Sequence, residues 1–153
     1  MGFADRRGYL QFHSNTISET NSLLAPDVAA DATWGLEVVK SKELVQCSFT
    51  TLDEFATEQG ISFIDILKMD VQGAETLVLD GGKRLLESRR IGLVYTEIIT
   101  MPTYERQKPL WEVLKMLEDF GMCLHNIYNL NLTQGPEGRL RQVDVIFVCE
   151  SHS

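Results

Sequence analysis

The stretch FIDILKMDVQGAE, from Phe63 to Glu75, restricts the possible folds more than any other part of the sequence. Phe63, Ile64, Ile66, Leu67, Met69 and Val71 form an almost continuous apolar run, the pattern of a parallel strand covered by helices on both faces. The run ends at Asp70, and Val71, Gln72 and Gly73 lead into Ala74-Glu75, where a helical pattern begins. In doubly wound α/β sheets ligands sit outside the carboxyl ends of the strands, so Asp70 and Gln72 fall where chemistry is done. An acid after a strand also serves as a helix cap, and position alone leaves both roles open for Asp70.

Other elements order themselves around this stretch. The 153 residues suffice for one domain, 1–153, with a real core. Asp5-Arg6-Arg7-Gly8 reads as a turn and Tyr9 to His13 as a half-buried strand. Ser14 to Asp31 reads as a loop with one short element near Leu23-Leu24. Val38-Val39 and Leu44 to Phe49 read as β structure pairing with the Tyr9 strand. Thr51-Leu52-Asp53-Glu54 has the form of a capping box opening a helix that stops at Gly60.

After the central strand, Ala74, Leu77, Val78, Gly81 and Leu85 give a helical stripe, which Gly81-Gly82 breaks so that the backbone can lie close on the sheet. Ile91 to Ile99 is a second apolar strand with one carboxylate, Glu97, near its carboxyl end. Pro109 opens a helix with an apolar stripe from Leu110 to Phe120. Cys123 to Leu130 reads as a strand, Asn129 to Gly138 as a loop, and Val143 to Val148 as the closing strand. The order gives two crossover units and a final hairpin.

Composition removes several function classes. A net charge of −8 argues against a nucleic-acid partner, since phosphate binding needs clustered Lys and Arg. No apolar run is long enough to span a bilayer, so no membrane partner is expected. Cys47, Cys123 and Cys149 are far apart, as are His13, His125 and His152; the cysteines read as buried thiols of a cytoplasmic protein, and no metal site is expected. Lys68 in mid-strand reads as a snorkelling stem.

LKMDVQGAE at 67–75, VLDGG at 78–82, YTEI at 95–98, Tyr104-Glu105 with Gln107, and VDVIFV at 143–148 together resemble the C-terminal portion of FkbM-type methyltransferases. TLDEF at 51–55 and Ala4-Asp5 fit the same pattern, so the resemblance covers nearly the whole chain. It implies an α/β, Rossmann-like methyltransferase fold, S-adenosylmethionine as cofactor, and a hydroxyl acceptor on a sugar or natural product. The family's upstream glycine-rich cofactor turn and ribose-binding acid have no counterpart here. The expectation is therefore a partial doubly wound sheet, first strands missing, with a C-terminal antiparallel hairpin. The strand at 63–71 is then left with an unpaired edge and an uncovered apolar face, open to a second copy or a completing chain. The chain reads as a truncated form, and 1–153 alone is not expected to bind the cofactor tightly.

By the same resemblance, Asp70 and Glu97 are the candidate catalytic carboxylates at the methyl-transfer end, with Glu75 facing the cleft or favouring the helix dipole. Asp5, Asp70 and Gln72 are candidates for cofactor binding and Tyr104 for the acceptor pocket. Two functions follow: an S-adenosylmethionine-dependent O-methyltransferase, or a non-catalytic remnant acting as an interaction or dimerisation module through its sheet edge. A dehydrogenase is less consistent, because no pyrophosphate loop is present.

Overall fold

The computed structural model describes residues 1–133 and 138–150, and among these the chain forms two sheets. β1 (Gly2–Phe3), β2 (Gly8–Asn15) and β3 (Ser41–Thr50) make a small sheet in the order β1-β3-β2. β4 (Ile64–Met69), β5 (Ile91–Ile99), β6 (Met122–Leu132) and β7 (Leu140–Cys149) make the second, in the order β4-β5-β7-β6. The helices are α1 (Ala30–Trp34), α2 (Leu52–Glu58), α3 (Glu75–Gly81), α4 (Lys83–Glu87) and α5 (Leu110–Asp119), so the chain is a mixed α/β protein. None is long and apolar enough to cross a membrane.

β4 and β5 run parallel, joined through α3 and α4. β5, α5 and β6 form a second crossover that skips one place, and β7 returns into the gap antiparallel to both neighbours. The expected hairpin of the last two strands is therefore present. The register puts Leu67 and Met69 beside Val94 and Thr96, and those beside Phe147 and Val145. These side chains share one face, on which Val94, Thr96, Val145 and Phe147 are fully buried. Leu52, Val78, Leu85, Val113 and Leu117 from α2 to α5 complete that core.

Helices α2 to α5 cover only this face. β4 therefore lacks the cover on both faces that its apolar run suggests, and shows the uncovered face and unpaired edge expected of a partial sheet. On the other face α1 reaches only the carboxyl end of β5, where Ala30 and Trp34 pack with Ile99. The other face carries Ile66, 63% exposed, with Lys68 and the half-buried Tyr95. Right-handed crossovers account for this: the chain moves from β4 to β5 to β6 in one direction across the sheet, so both connections fall on one side. β4 is an edge strand, with no partner along its outer side among the described residues. Lys68 needs no snorkelling, because it stands on the open face with its ammonium 5.9 Å from the Tyr95 ring centroid.

Local chemistry sets the element ends. Thr51 accepts from the Glu54 amide at 3.1 Å and the Glu54 side chain returns to Thr51, so the capping box is formed. Pro109 is the N-cap of α5, whose Val113 and Leu117 are fully buried. The break between α3 and α4 falls at Gly82. The close approach is made by Gly81 and is directed at β1 rather than the large sheet: a Cβ there would lie 2.1 Å from the Ala4 carbonyl oxygen.

Three local expectations differ. Val38 and Val39 lie in a turn, set by Gly35 (φ 98°) and Glu37 (φ 64°), and Val39 is an anchor buried with Ile99 and Tyr104. Leu23-Leu24 belongs to no helix; the short element is a 3₁₀ turn at Ser18–Thr20. β6 continues to Leu132, because pairing with β7 holds Asn131 and Leu132 extended where their composition suggests loop. Within that expected loop, 134–137 lie outside the described residues, as does His152.

Candidate functional site

Beyond β4 the chain turns sharply at Gln72 (φ 51°) and Gly73 (φ 87°) before entering α3. Gly73 is required twice over, by its left-handed backbone and because a Cβ would meet Tyr104 Cδ2 at 3.1 Å and Gln107 Cγ at 3.3 Å. Gln72 has no such freedom, and hydrogen bonds hold it in place. Its carbonyl accepts from Ser22 Oγ at 2.7 Å. Its Nε2 donates to Asp70 Oδ1 at 2.9 Å and to Glu97 Oε1 at 3.1 Å. A non-glycine residue held at positive φ by so many contacts is typical of a functional turn.

The Gln72 amide thus spends both donors on two carboxylates from neighbouring strand ends. Parallel register places Met69 beside Thr96, so Asp70 and Glu97 follow side by side. Asp70 is exposed and Glu97 half-buried. Burial, then the nearby Asp70 charge, raises the Glu97 carboxyl above its ordinary value. Asp144, opposite Glu97 on β7, is held by Tyr95 Oη and Asn129 Nδ2, each donating at 2.7 Å.

Glu75, the first residue of α3, folds back onto the turn that precedes it. Its carboxylate turns back to accept from the Gly73 amide at 3.0 Å, and the residue is 2% exposed. Burial, reinforced by Glu97 and Asp70, pushes its carboxyl up to about 7 against the opposing backbone hydrogen bonds.

Tyr104 is also buried. It donates to the Thr20 carbonyl at 2.8 Å, with Gln72 Oε1 3.2 Å away as the other acceptor. Burial, then Glu75, Glu97 and Asp70, keeps its phenol protonated well above the usual range. Gln107 fixes this loop, accepting from the Tyr104 amide at 3.2 Å and donating to the Ile99 and Met101 carbonyls at 2.8 and 3.2 Å.

Two cavities of about 310 Å³ each meet at Asp70. The polar one is lined by Glu19, Trp34, Asp70, Gln72, Glu97 and Tyr104. The apolar one, on the other side, is lined by Phe3, Phe12, Phe49, Val71 and Ala74 together with Asp70. The structure therefore brings Asp70, Gln72, Glu97 and Tyr104 together and packs Glu75 behind them. Asp5 is not in this group: it pairs with Arg6 at 3.1 Å and lines a separate cleft.

The sequence reading missed Trp34, whose indole donates to Thr103 Oγ1 at 2.8 Å and whose ring carries the Arg141 guanidinium 4.3 Å from its centroid. It also missed the phenylalanine wall; only the alternation of Phe12 and Phe49 in their strands offered a signal. Among the described residues no group of three or more His, Cys, Asp or Glu is placed to hold a metal. What the arrangement provides is an anionic rim at the mouth of an apolar cavity, with one carboxylate tuned towards accepting a proton.

The Methyltransferase FkbM domain matches residues 1–124. The 2-O-methyltransferase NoeI of Sinorhizobium fredii (strain NBRC 101917 / NGR234) is 44% identical over 69 residues, which is 45% of this chain and 28% of that protein. The match thus spans less than a third of the relative's length. No solved structure matches.

Proposed function

The chain belongs to the FkbM methyltransferase family, and on that premise we propose that its site serves S-adenosylmethionine-dependent O-methylation of a hydroxyl on a sugar or natural product, in the cytoplasm. The observation that carries this reading is the Gln72 bridge between Asp70 and Glu97 where the two cavities meet. The chemistry of the rim suits the cofactor: carboxylates stabilise a cationic sulfonium, and the phenylalanine-lined cavity beside Asp70 suits a purine. Asp70 and the walls formed by Phe3, Phe12 and Phe49 would hold it. When bound, S-adenosylmethionine supplies an electrophilic methyl group.

The chain's own residues position the acceptor and take its proton. Methyl transfer from sulfonium is an in-line displacement, helped chiefly by orientation. The polar cavity offers Glu97 as proton acceptor, with its raised pKa closer to the working range than an ordinary carboxylate. Gln72 fixes Glu97 and Asp70 relative to one another, and Tyr104 with Ser22 fixes Gln72.

The test is transfer of a labelled methyl group from S-adenosylmethionine to saccharide acceptors by the full-length protein. Asp70→Asn and Glu97→Gln should each lower kcat by about 10²–10⁴-fold while leaving the unfolding temperature nearly unchanged. Turnover equal to the parent in both variants would remove these carboxylates from the chemistry.

A further inference from the structure

Beyond the methyl-transfer rim, a cleft of about 510 Å³ opens between β2, α3 and the segment before α5. In a chain of net charge −8 its rim is cationic, carrying Arg6, Arg106 and Lys108, with His13 beside them. Asp5 is the one acid in the lining, and Arg6 already takes it up. Lys108 reaches Glu112 at 2.8 Å, an exposed i, i+4 pair that is easily exchanged. Arg106 has no partner among the described residues and is held at φ 62°, where a non-glycine side chain is costly. The floor is apolar, made by Leu10, Leu23, Leu24 and Leu77.

We propose that this cleft is a binding site for an organic anion, a phosphate, sulfate or carboxylate group attached to a short apolar moiety, with Arg106 as the principal anion contact and Lys108 as the second. Guanidinium presents a planar fork that matches such oxyanions, and the leucine floor takes the attached hydrocarbon. The cleft has its own link to the methyl-transfer turn: Gly73 lines it, and Leu24 Cδ1 lies 3.5 Å from where a Gly73 Cβ would stand. An anionic group seated here would sit beside the turn that carries Gln72. The site stands on its own geometry and does not depend on methyl transfer.

The test is a titration of ¹⁵N-labelled full-length protein with n-butyl phosphate and, separately, with inorganic phosphate, following Arg106 Nε and the Gly73 and Leu77 amides. Saturable shifts at all three are expected, with butyl phosphate bound about 10-fold or more tightly than inorganic phosphate, since each buried methylene adds roughly 4-fold. Arg106→Gly should weaken binding by about 10-fold yet hold or raise the unfolding temperature, because glycine accepts φ 62° without strain. Lys108→Gln, away from any backbone strain, should weaken it several-fold. Absence of saturation, equal affinity for the two probes, or an unchanged Kd in Arg106→Gly would overturn the assignment.

Discussion

Glu75→Gln should make the protein more stable, and only above mildly acidic pH. Glu75 is 2% exposed and its carboxyl is pushed from 4.5 to about 7. The sign follows from proton counting. Below about pH 4.5 both folded and unfolded chains hold the proton. Between 4.5 and 7 the unfolded chain loses it while the folded chain keeps it, so each rise in pH favours unfolding. Above 7 the two states titrate alike and the loss stops. A displacement of that size corresponds to roughly 3 kcal/mol, a large fraction of the stability of a small domain.

Glutamine is nearly isosteric with the protonated acid and keeps an oxygen for the Gly73 amide, but it has no proton to lose. The variant should match the parent within about 1 kcal/mol near pH 4.5 and exceed it by about 2–3 kcal/mol at pH 8. Urea unfolding at a series of pH values measures this, provided the denaturant slopes agree between the two proteins. Titrating groups remote from Glu75 are common to both proteins and cancel in the difference, while Glu97 and Asp70, whose charges help raise the Glu75 carboxyl, are part of the effect. If the difference does not change between pH 4.5 and 8, Glu75 does not hold a raised pKa, and the account of a buried acid behind the Gln72 turn is wrong.

Two further substitutions probe the packing and the turn. Gly81→Ala should destabilise by about 1–3 kcal/mol, because the new methyl would lie 2.1 Å from the Ala4 carbonyl and must force α3 from β1; helix propensity alone predicts a gain of about 1 kcal/mol, so thermal unfolding separates the two by sign. Gln72→Gly should leave stability close to the parent, since relief of φ 51° offsets the lost side-chain hydrogen bonds, while kcat falls by about 10²-fold; a variant that turns over normally would show that the amide bridge is dispensable.

The parts of this fold legible in the sequence are those set by local chemistry. Thr51 with Glu54, Pro109, and the mostly apolar run from Ile91 to Ile99 mark ends that the structure reproduces. Val38-Val39 misled because side-chain preference for strands was outweighed by the turn at Gly35 and Glu37. The apolar run of β4, taken alone, misled for a different reason, while the uncovered face expected of a partial sheet is present. Apolar content reports how much surface a strand could bury, whereas the direction in which successive crossovers advance decides which face is covered, and that direction is a property of the whole sheet.

The site shows the same division. Asp70 and Glu97 could be picked out because each closes an apolar strand, but nothing in either segment says that one amide will join them. That depends on the pairing of β4 with β5. With Met69 beside Thr96, Glu97 emerges on the open face next to Asp70, and Thr96 is buried under the helices. Since side chains alternate along a strand, a slip of one residue would exchange the two, burying a carboxylate in the apolar core and leaving Gln72 with a single acid to hold. The fully buried Val94, Val145 and Phe147 penalise that slip. The hydrophobic core therefore sets the spacing of the carboxylates at the rim, and a substitution that loosened β5 in its register would damage the site without touching any residue that lines it.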